Sequence, residues 1–178
     1  MGSIVFKLES FIDSIFLSYN LLGDMMEINI RKLLISIIIP VFLGSLVGFI
    51  TSGFNNYNEF IQPSFAPPGI LFPIVWTILY TLMGISSYII SESNSYEKNE
   101  AMFIYIVQLI VNLLWSFLFF GFKWYFFSFL WILFLIVLVV IMIRKFYDIS
   151  KVSGILQIPY LLWLIFASIL NLSIYILN

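Results

Sequence analysis

Five times along this 178-residue chain, about 20 or more residues pass without a single Asp, Glu, Lys or Arg. A helix needs about that length to cross the hydrocarbon core of a bilayer, and only a helix or a closed barrel satisfies every backbone polar group there. The stretches are Leu33 to Ser52, Gly69 to Ser91, Ala101 to Phe122, Trp124 to Ile143, and Val152 to the end of the chain (152–177). The expected fold class is an all-α integral membrane protein, a bundle of five transmembrane helices occupying residues 26–178. Composition agrees: 62% of residues are hydrophobic and 10% charged, whereas a soluble domain is about one quarter charged. A water-soluble domain of this size could not hide so much apolar surface.

Residues 1–25 read differently. Phe6, Phe11, Ile15 and Leu22, interrupted by Lys7, Glu9 and Asp13, give the pattern of a short amphipathic helix lying on the membrane surface. No small-residue cleavage site follows, so the segment is not a secretory signal. Met1-Gly2-Ser3 also matches a non-native scar, with Met25 or Met26 as a natural start, and this extension is expected to be dispensable.

The chain has neither Cys nor His. Disulfides, thiolate metal sites, His-ligated haem, Ser-His-Asp triads and His proton switches are thereby excluded, leaving no hydrolytic or metal-based catalytic set. A net charge of −1 offers nothing to nucleic acid. The five spans lack the intramembrane charges on which proton relays and ion-coupled carriers depend. Outside the spans, Lys7, Arg31, Lys32, Lys98, Arg144, Lys145 and Lys151 share one side and Lys123 stands alone on the other. That asymmetry predicts a multi-pass protein of a bacterial cytoplasmic membrane with its N-terminus in the cytoplasm.

Between helices in lipid, small residues and buried polar groups mark packed faces. Ser36, Pro40, Gly44, Gly48 and Ser52 draw one groove at four-residue spacing along span 1, which reads as helix packing within the bundle rather than a homodimer contact. Span 3 carries Gln108, Asn112, Trp115 and Phe119 on one face. A carboxamide cannot face lipid unsatisfied. Two roles fit this face: a hydrogen-bonded clasp between helices, or a polar contact in a ligand pocket. Span 5 repeats the arrangement with Tyr160, Trp163, Ala167 and Asn171, and Pro159 frees a backbone carbonyl nearby. Span 2 offers Trp76, Tyr80, Met83 and Ser87. Three such faces would enclose a flat aromatic cavity suited to a planar hydrophobic ligand. Trp124, beside Lys123, reads as an interfacial anchor, and Trp131 as lipid-facing or core.

The run Pro63-Ser64-Phe65-Ala66-Pro67-Pro68-Gly69, followed by Pro73, Trp76, Leu79-Tyr80 and Met83-Gly84, resembles the translocator protein family, the tryptophan-rich sensory proteins related to the peripheral benzodiazepine receptor. The family pattern there reads approximately P-S-W-x-P-P, then P-x-W-x-x-L-Y-x-x-M-G. Further blocks fit in order: Pro40, Gly44 and Gly48; Gln108, Asn112 and Trp115 through Phe119-Phe120-Gly121; then Pro159-Tyr160, Trp163, Ala167 and Leu170-Asn171. The likeness covers residues 33 to 178.

The resemblance implies a five-helix bundle, often a homodimer, with a pocket beneath the 1–2 loop that binds porphyrins and, in many members, isoquinoline carboxamide drugs. Tyr57, Trp76, Asn112, Trp115, Trp163 and Ala167 carry over by position. With Phe65 and Pro67 of the loop, and Tyr80, Gln108, Tyr160 and Asn171 of the inward faces, they form the candidate ligand-binding set. The implied function is a membrane-embedded binding or sensory protein for protoporphyrin IX-like tetrapyrroles. One alternative is light- and oxygen-dependent degradation of protoporphyrin, in which Trp76 and Trp163 would be the catalytic pair; another is transport of tetrapyrroles or lipids. Porphyrin would be a ligand, with no cofactor expected, and a metal-free ring suits a chain without His or Cys. Two departures stand out. Phe65 replaces the loop tryptophan, and the C-terminal Tyr175 lacks the basic neighbour of the cholesterol-recognition pattern.

Overall fold

The computed structural model describes residues 28–53 and 61–178. The chain divides into two units, Met1–Arg31 and Lys32–Asn178. The expected surface helix of residues 1–25, and Tyr57, lie outside the described residues.

Among the described residues all regular structure is helical: α1 (Ile30–Ser52), α2 (Leu71–Glu92), α3 (Lys98–Ser116), α4 (Tyr125–Ile149), α5 (Lys151–Ile155) and α6 (Ile158–Leu177). A π-helical turn, Phe117–Gly121, extends α3. Among the described residues, five segments are long and apolar enough to cross a membrane: α1, α2, α4, α3 with its π turn, and α5 with α6. The protein is an integral, multi-pass membrane protein of the all-α class.

The helices overrun the uncharged stretches at their ends. α4 continues past Ile143 to Ile149 and carries Arg144 and Lys145 in its last two turns. Long basic side chains extend their heads towards water, so a helix need not stop where its charges begin. The last span is broken rather than continuous. Pro159 sits in the first turn of α6 and cannot donate to the carbonyl of Ile155. The chain tightens there instead, with Gln157 N–H donating to Gly154 O at 3.1 Å.

Small residues set the close contacts. Ser86 and Ser153 clasp α2 to α5 reciprocally, each hydroxyl donating to the other's carbonyl at 2.8 Å. Gly84 lies against the α1 backbone at Ser36 and Ile37, and Gly154 against the α4 backbone at Tyr147; a Cβ on either would collide with main chain. Gly44 lies under the Tyr80 ring. The core beneath contains Met83, Ile90, Val139, Met142 and Phe146, all without exposed surface. Trp131 is half-buried, and its Nε1–H donates to Val111 O at 2.8 Å, tying α4 to α3. Exposed Trp124 stacks on Phe122 with ring centres 5.1 Å apart.

One end of the bundle collects the charges. Lys32 pairs with Glu92 and Lys145 with Glu100, each at 2.9 Å, while Lys98 Nζ donates to the carbonyls of Ser91 and Ser93. Lys123 lies at the other end, in the left-handed backbone region with φ 58°. α1 is the least embedded span: of its residues only Pro40 and Thr51 are buried. The groove expected along α1 is therefore used in two ways. Ser36 and Gly44 pack against α2 and Pro40 is buried, whereas Gly48 meets nothing within 4 Å and, with Ser52, borders a cavity.

Candidate functional site

The C-terminal half of α1 stands off from the bundle and closes a cavity of about 510 Å³ against α2, α3 and α6. The site occupies the half of the bundle remote from the paired lysines. Among the described residues that line it, none carries a charged side chain. Phe72, Trp76 and Tyr80 come from α2 at four-residue steps, so one helical face supplies three rings. Trp76 and Tyr80 stack with ring centres 5.3 Å apart. Trp115 of α3 stacks on Phe119 at 5.1 Å, and Phe119 meets Phe120 edge-on at 4.9 Å.

The π turn explains how adjacent residues Phe119 and Phe120 both reach the cavity wall. Phe122 N–H donates to Phe117 O at 2.9 Å, a five-residue step that widens the turn and shifts side-chain register. The turn ends against Tyr125, whose ring centre lies 5.3 Å from that of Phe119.

Polar groups gather at two points of this aromatic box. On one side, Tyr80 O–H donates to Asn112 Oδ1 at 3.0 Å, Asn112 Nδ2 donates to Tyr160 Oη at 2.6 Å, and Tyr160 O–H donates to Gln108 Oε1 at 3.1 Å. Tyr80 and Asn112 border the cavity; Tyr160 and Gln108 lie behind them, fully buried. On the other side, Asn171 Oδ1 accepts from Trp115 Nε1 at 3.3 Å and from Ser128 Oγ at 3.0 Å, while its Nδ2 donates to Tyr125 O at 3.0 Å. Asn171 thus ties α6 to α3 and to the start of α4. Both roles weighed for the span 3 carboxamides coexist in Asn112, which clasps helices and borders the cavity.

Of the candidate residues, Trp76, Tyr80, Asn112, Trp115, Ala167 and Asn171 are brought together around one space. Gln108 and Tyr160 do not touch it. Trp163 faces elsewhere, into a shallower hollow of about 410 Å³ between α2 and α6 that also meets Leu79 and Phe166. The Phe72 ring, 5.9 Å from that of Trp163, stands between Trp163 and the cavity, and the Trp163 indole N–H is buried without a partner. Phe65 is half-exposed, with its ring edge-on to Phe166 at 6.4 Å, and Pro67 is half-buried away from the cavity. The aromatic enclosure has contributions from spans 2 and 3 as the inward faces implied; span 5 supplies Ala167 and Asn171 rather than its tryptophan.

Sequence reading did not single out Phe72, Phe120, Gly48 or Thr51 as cavity residues. Phe72 had a signal, since it precedes Trp76 by four residues on the same face. Phe120 had none, because a π turn breaks the α-helical periodicity used to assign faces. Among the described residues there is no group of three or more His, Cys, Asp or Glu side chains placed to hold a metal ion. The contacts this cavity offers are ring stacking and a few neutral hydrogen bonds.

Comparison with known proteins adds an independent line. A family model described as the TspO/MBR family matches residues 36–177. The chain is 38% identical over 152 residues to a tryptophan-rich protein TspO of Archaeoglobus fulgidus, covering 84% of this chain and 99% of that one. It is 30% identical over 122 residues to a tryptophan-rich sensory protein of Cereibacter sphaeroides, covering 68% and 76%. It is likewise 30% identical over 140 residues to the translocator protein of Sus scrofa, covering 74% and 83%.

Proposed function

We propose, on the premise that this chain belongs to the TspO/MBR family, that it binds porphyrins of the protoporphyrin IX type in the aromatic cavity. The family supports a sensory or transport role in a membrane; the nature of the ligand is our own reading. The observation that carries it is the cavity itself, about 510 Å³ and bordered by the Trp76–Tyr80 stack, the Trp115–Phe119 stack and the Asn112 carboxamide. Ligand sites of about 300–1,000 Å³ with apolar walls and few polar groups suit drug-sized molecules. Flat walls of stacked rings favour a planar conjugated ligand, because offset stacking adds to the area buried.

Binding is favoured over degradation by the position of Trp163. A ligand in the cavity meets Trp76 and Trp115, with Phe72 between it and Trp163. The test is a titration of purified protein with protoporphyrin IX in darkness, following tryptophan quenching and the porphyrin absorbance band. Saturable quenching is expected, with Trp76→Leu weakening affinity about tenfold through loss of one stacking wall. Quenching that never saturates, or survives Trp76→Leu unchanged, rejects the reading. Illumination of the same complex tests the degradative alternative, which requires bleaching to a distinct product.

A further inference from the structure

A residue that borders the cavity and is also exposed stands at its mouth. Among the described residues, those come from α1, with Gly48 and Phe49 among them, and from the start of α2, with Pro73 and Thr77 among them. The lining residues of α3 and α6 are all buried or half-buried. The mouth therefore runs along the seam between α1 and α2. Gly48 lies one turn inside the end of α1, and Thr77 nearly two turns inside the start of α2. Both positions fall within the membrane-crossing segments, so the mouth faces lipid. Phe49, 79% exposed, marks the same side of α1.

The seam is shut at one end and slack beside the cavity. Gly84 meets the α1 backbone at Ser36 and Ile37, and Gly44 lies under the Tyr80 ring. Beyond that point nothing lies within 4 Å of a Cβ built on Gly48, which leaves about the contact distance a flat ring needs. The hydroxyls along the slot are turned inward to their own helices: Thr77 donates to Pro73 O, Thr51 to Val47 O and Ser52 to Phe49 O, each at 2.8 Å. A charged group passing such walls would lose its hydration without compensation. We propose that the ligand enters sideways from the leaflet, edge-on through the slot between α1 and α2, with Gly48 setting its width. The molecules admitted are flat, dissolved in the membrane and uncharged along the leading edge; polar substituents on the opposite edge stay at the interface. The proposal rests on the reading that this cavity is the ligand site.

The test uses the full chain in lipid vesicles and protoporphyrin IX dimethyl ester, whose periphery is uncharged. The chain has no native cysteine, so Gly48→Cys with Thr77→Cys can be joined across the slot by a short bifunctional thiol reagent. Joining the empty protein should slow binding, and joining the loaded protein should slow release. Each effect should be about tenfold or more against the same double variant left unjoined, because one passage serves both directions. Binding at the unjoined rate, or release at that rate or faster, overturns the proposal. A second readout needs no ligand. A nitroxide on Gly48→Cys should collide with oxygen dissolved in the bilayer and be shielded from a water-soluble nickel chelate; the reverse places the mouth in water and overturns entry from lipid. If the ester does not bind the parent, the porphyrin reading falls; in that case, or if only the double variant fails to bind, the nitroxide alone decides.

Discussion

Gly84 offers the sharpest test of how α1 is held. A Cβ built on it would stand 2.5 Å from Ile37 Cα, 2.6 Å from Ser36 O and 2.9 Å from Ile37 N. All three are backbone atoms and cannot rotate away. The Ser36 carbonyl is also the one that Pro40, lacking an N–H, leaves without its helical donor, so it is free to face α2. To bring the nearest of these atoms to an ordinary contact near 3.4 Å, α1 must retreat by about 0.9 Å. Overpacking of this kind costs about 1–3 kcal/mol, which for a chain of this size lowers a melting midpoint by about 2–12 °C. Gly84→Ala should therefore melt earlier in detergent, and α1 should move as a body because so little of it is buried. Since the chain has no native cysteine, spin labels on Ile38→Cys of α1 and Ile78→Cys of α2 can measure that separation directly. Gly48→Ala is the control, because nothing lies within 4 Å of its Cβ position. If Gly84→Ala melts with the parent at an unchanged label distance, or if Gly48→Ala loses as much, the account of α1 packing is wrong.

Three further outcomes are expected. Ser86→Ala and Ser153→Ala should each lower stability by about 0.6 kcal/mol, and their effects should add, because each hydroxyl uses the other residue's carbonyl, which alanine keeps; strong coupling in the double variant would contradict two separate bonds. Lys123→Gly should stabilise by about 1 kcal/mol and Lys123→Val destabilise, since φ 58° strains any side chain and a β-branched one most; thermal melts giving the reverse order would refute the assigned backbone strain. In intact cells a membrane-impermeant thiol reagent should label Phe122→Cys but reach Tyr96→Cys only after permeabilisation, as the distribution of basic residues implies; the opposite pattern would invert the topology.

The spans were legible because lipid imposes a length and a composition, and any uncharged run such as Leu33 to Ser52 reports both. Faces within a span were legible too, since Trp76, Tyr80 and Phe72 follow helical steps. Which neighbour a face meets was not. Trp163 and Ala167 share one face of α6, yet Phe72 screens the first from the cavity and the second borders it. Nor did the residues announce the partners of Gly84 and Ser86, because a small residue records that something comes close, not what. Phe119-Phe120-Gly121 read as a continuation of the third span and proved to lie in a π turn, which a single helical period cannot reveal. Gln108 and Asn112 were placed together correctly on one face, but only the buried Tyr160 hydroxyl reveals that one stands behind the other.

The position of the cavity along the bundle normal has a consequence for traffic. It opens the half of the bundle that contains Gly48, Phe72 and Asn171, whereas the half beyond Gly84 is shut by Met83, the Ser86–Ser153 pair and Phe146, none with exposed surface. On the proposed reading, a guest seated there would exchange with a single leaflet and its adjoining aqueous phase. Vectorial passage would demand that a second, tightly interlocked half part as well, and the weakest seam available is α1, whose departure would spill the guest sideways into lipid rather than onward. If the proposed binding reading holds, such a vessel would register how much of a compound one leaflet contains rather than carry it across.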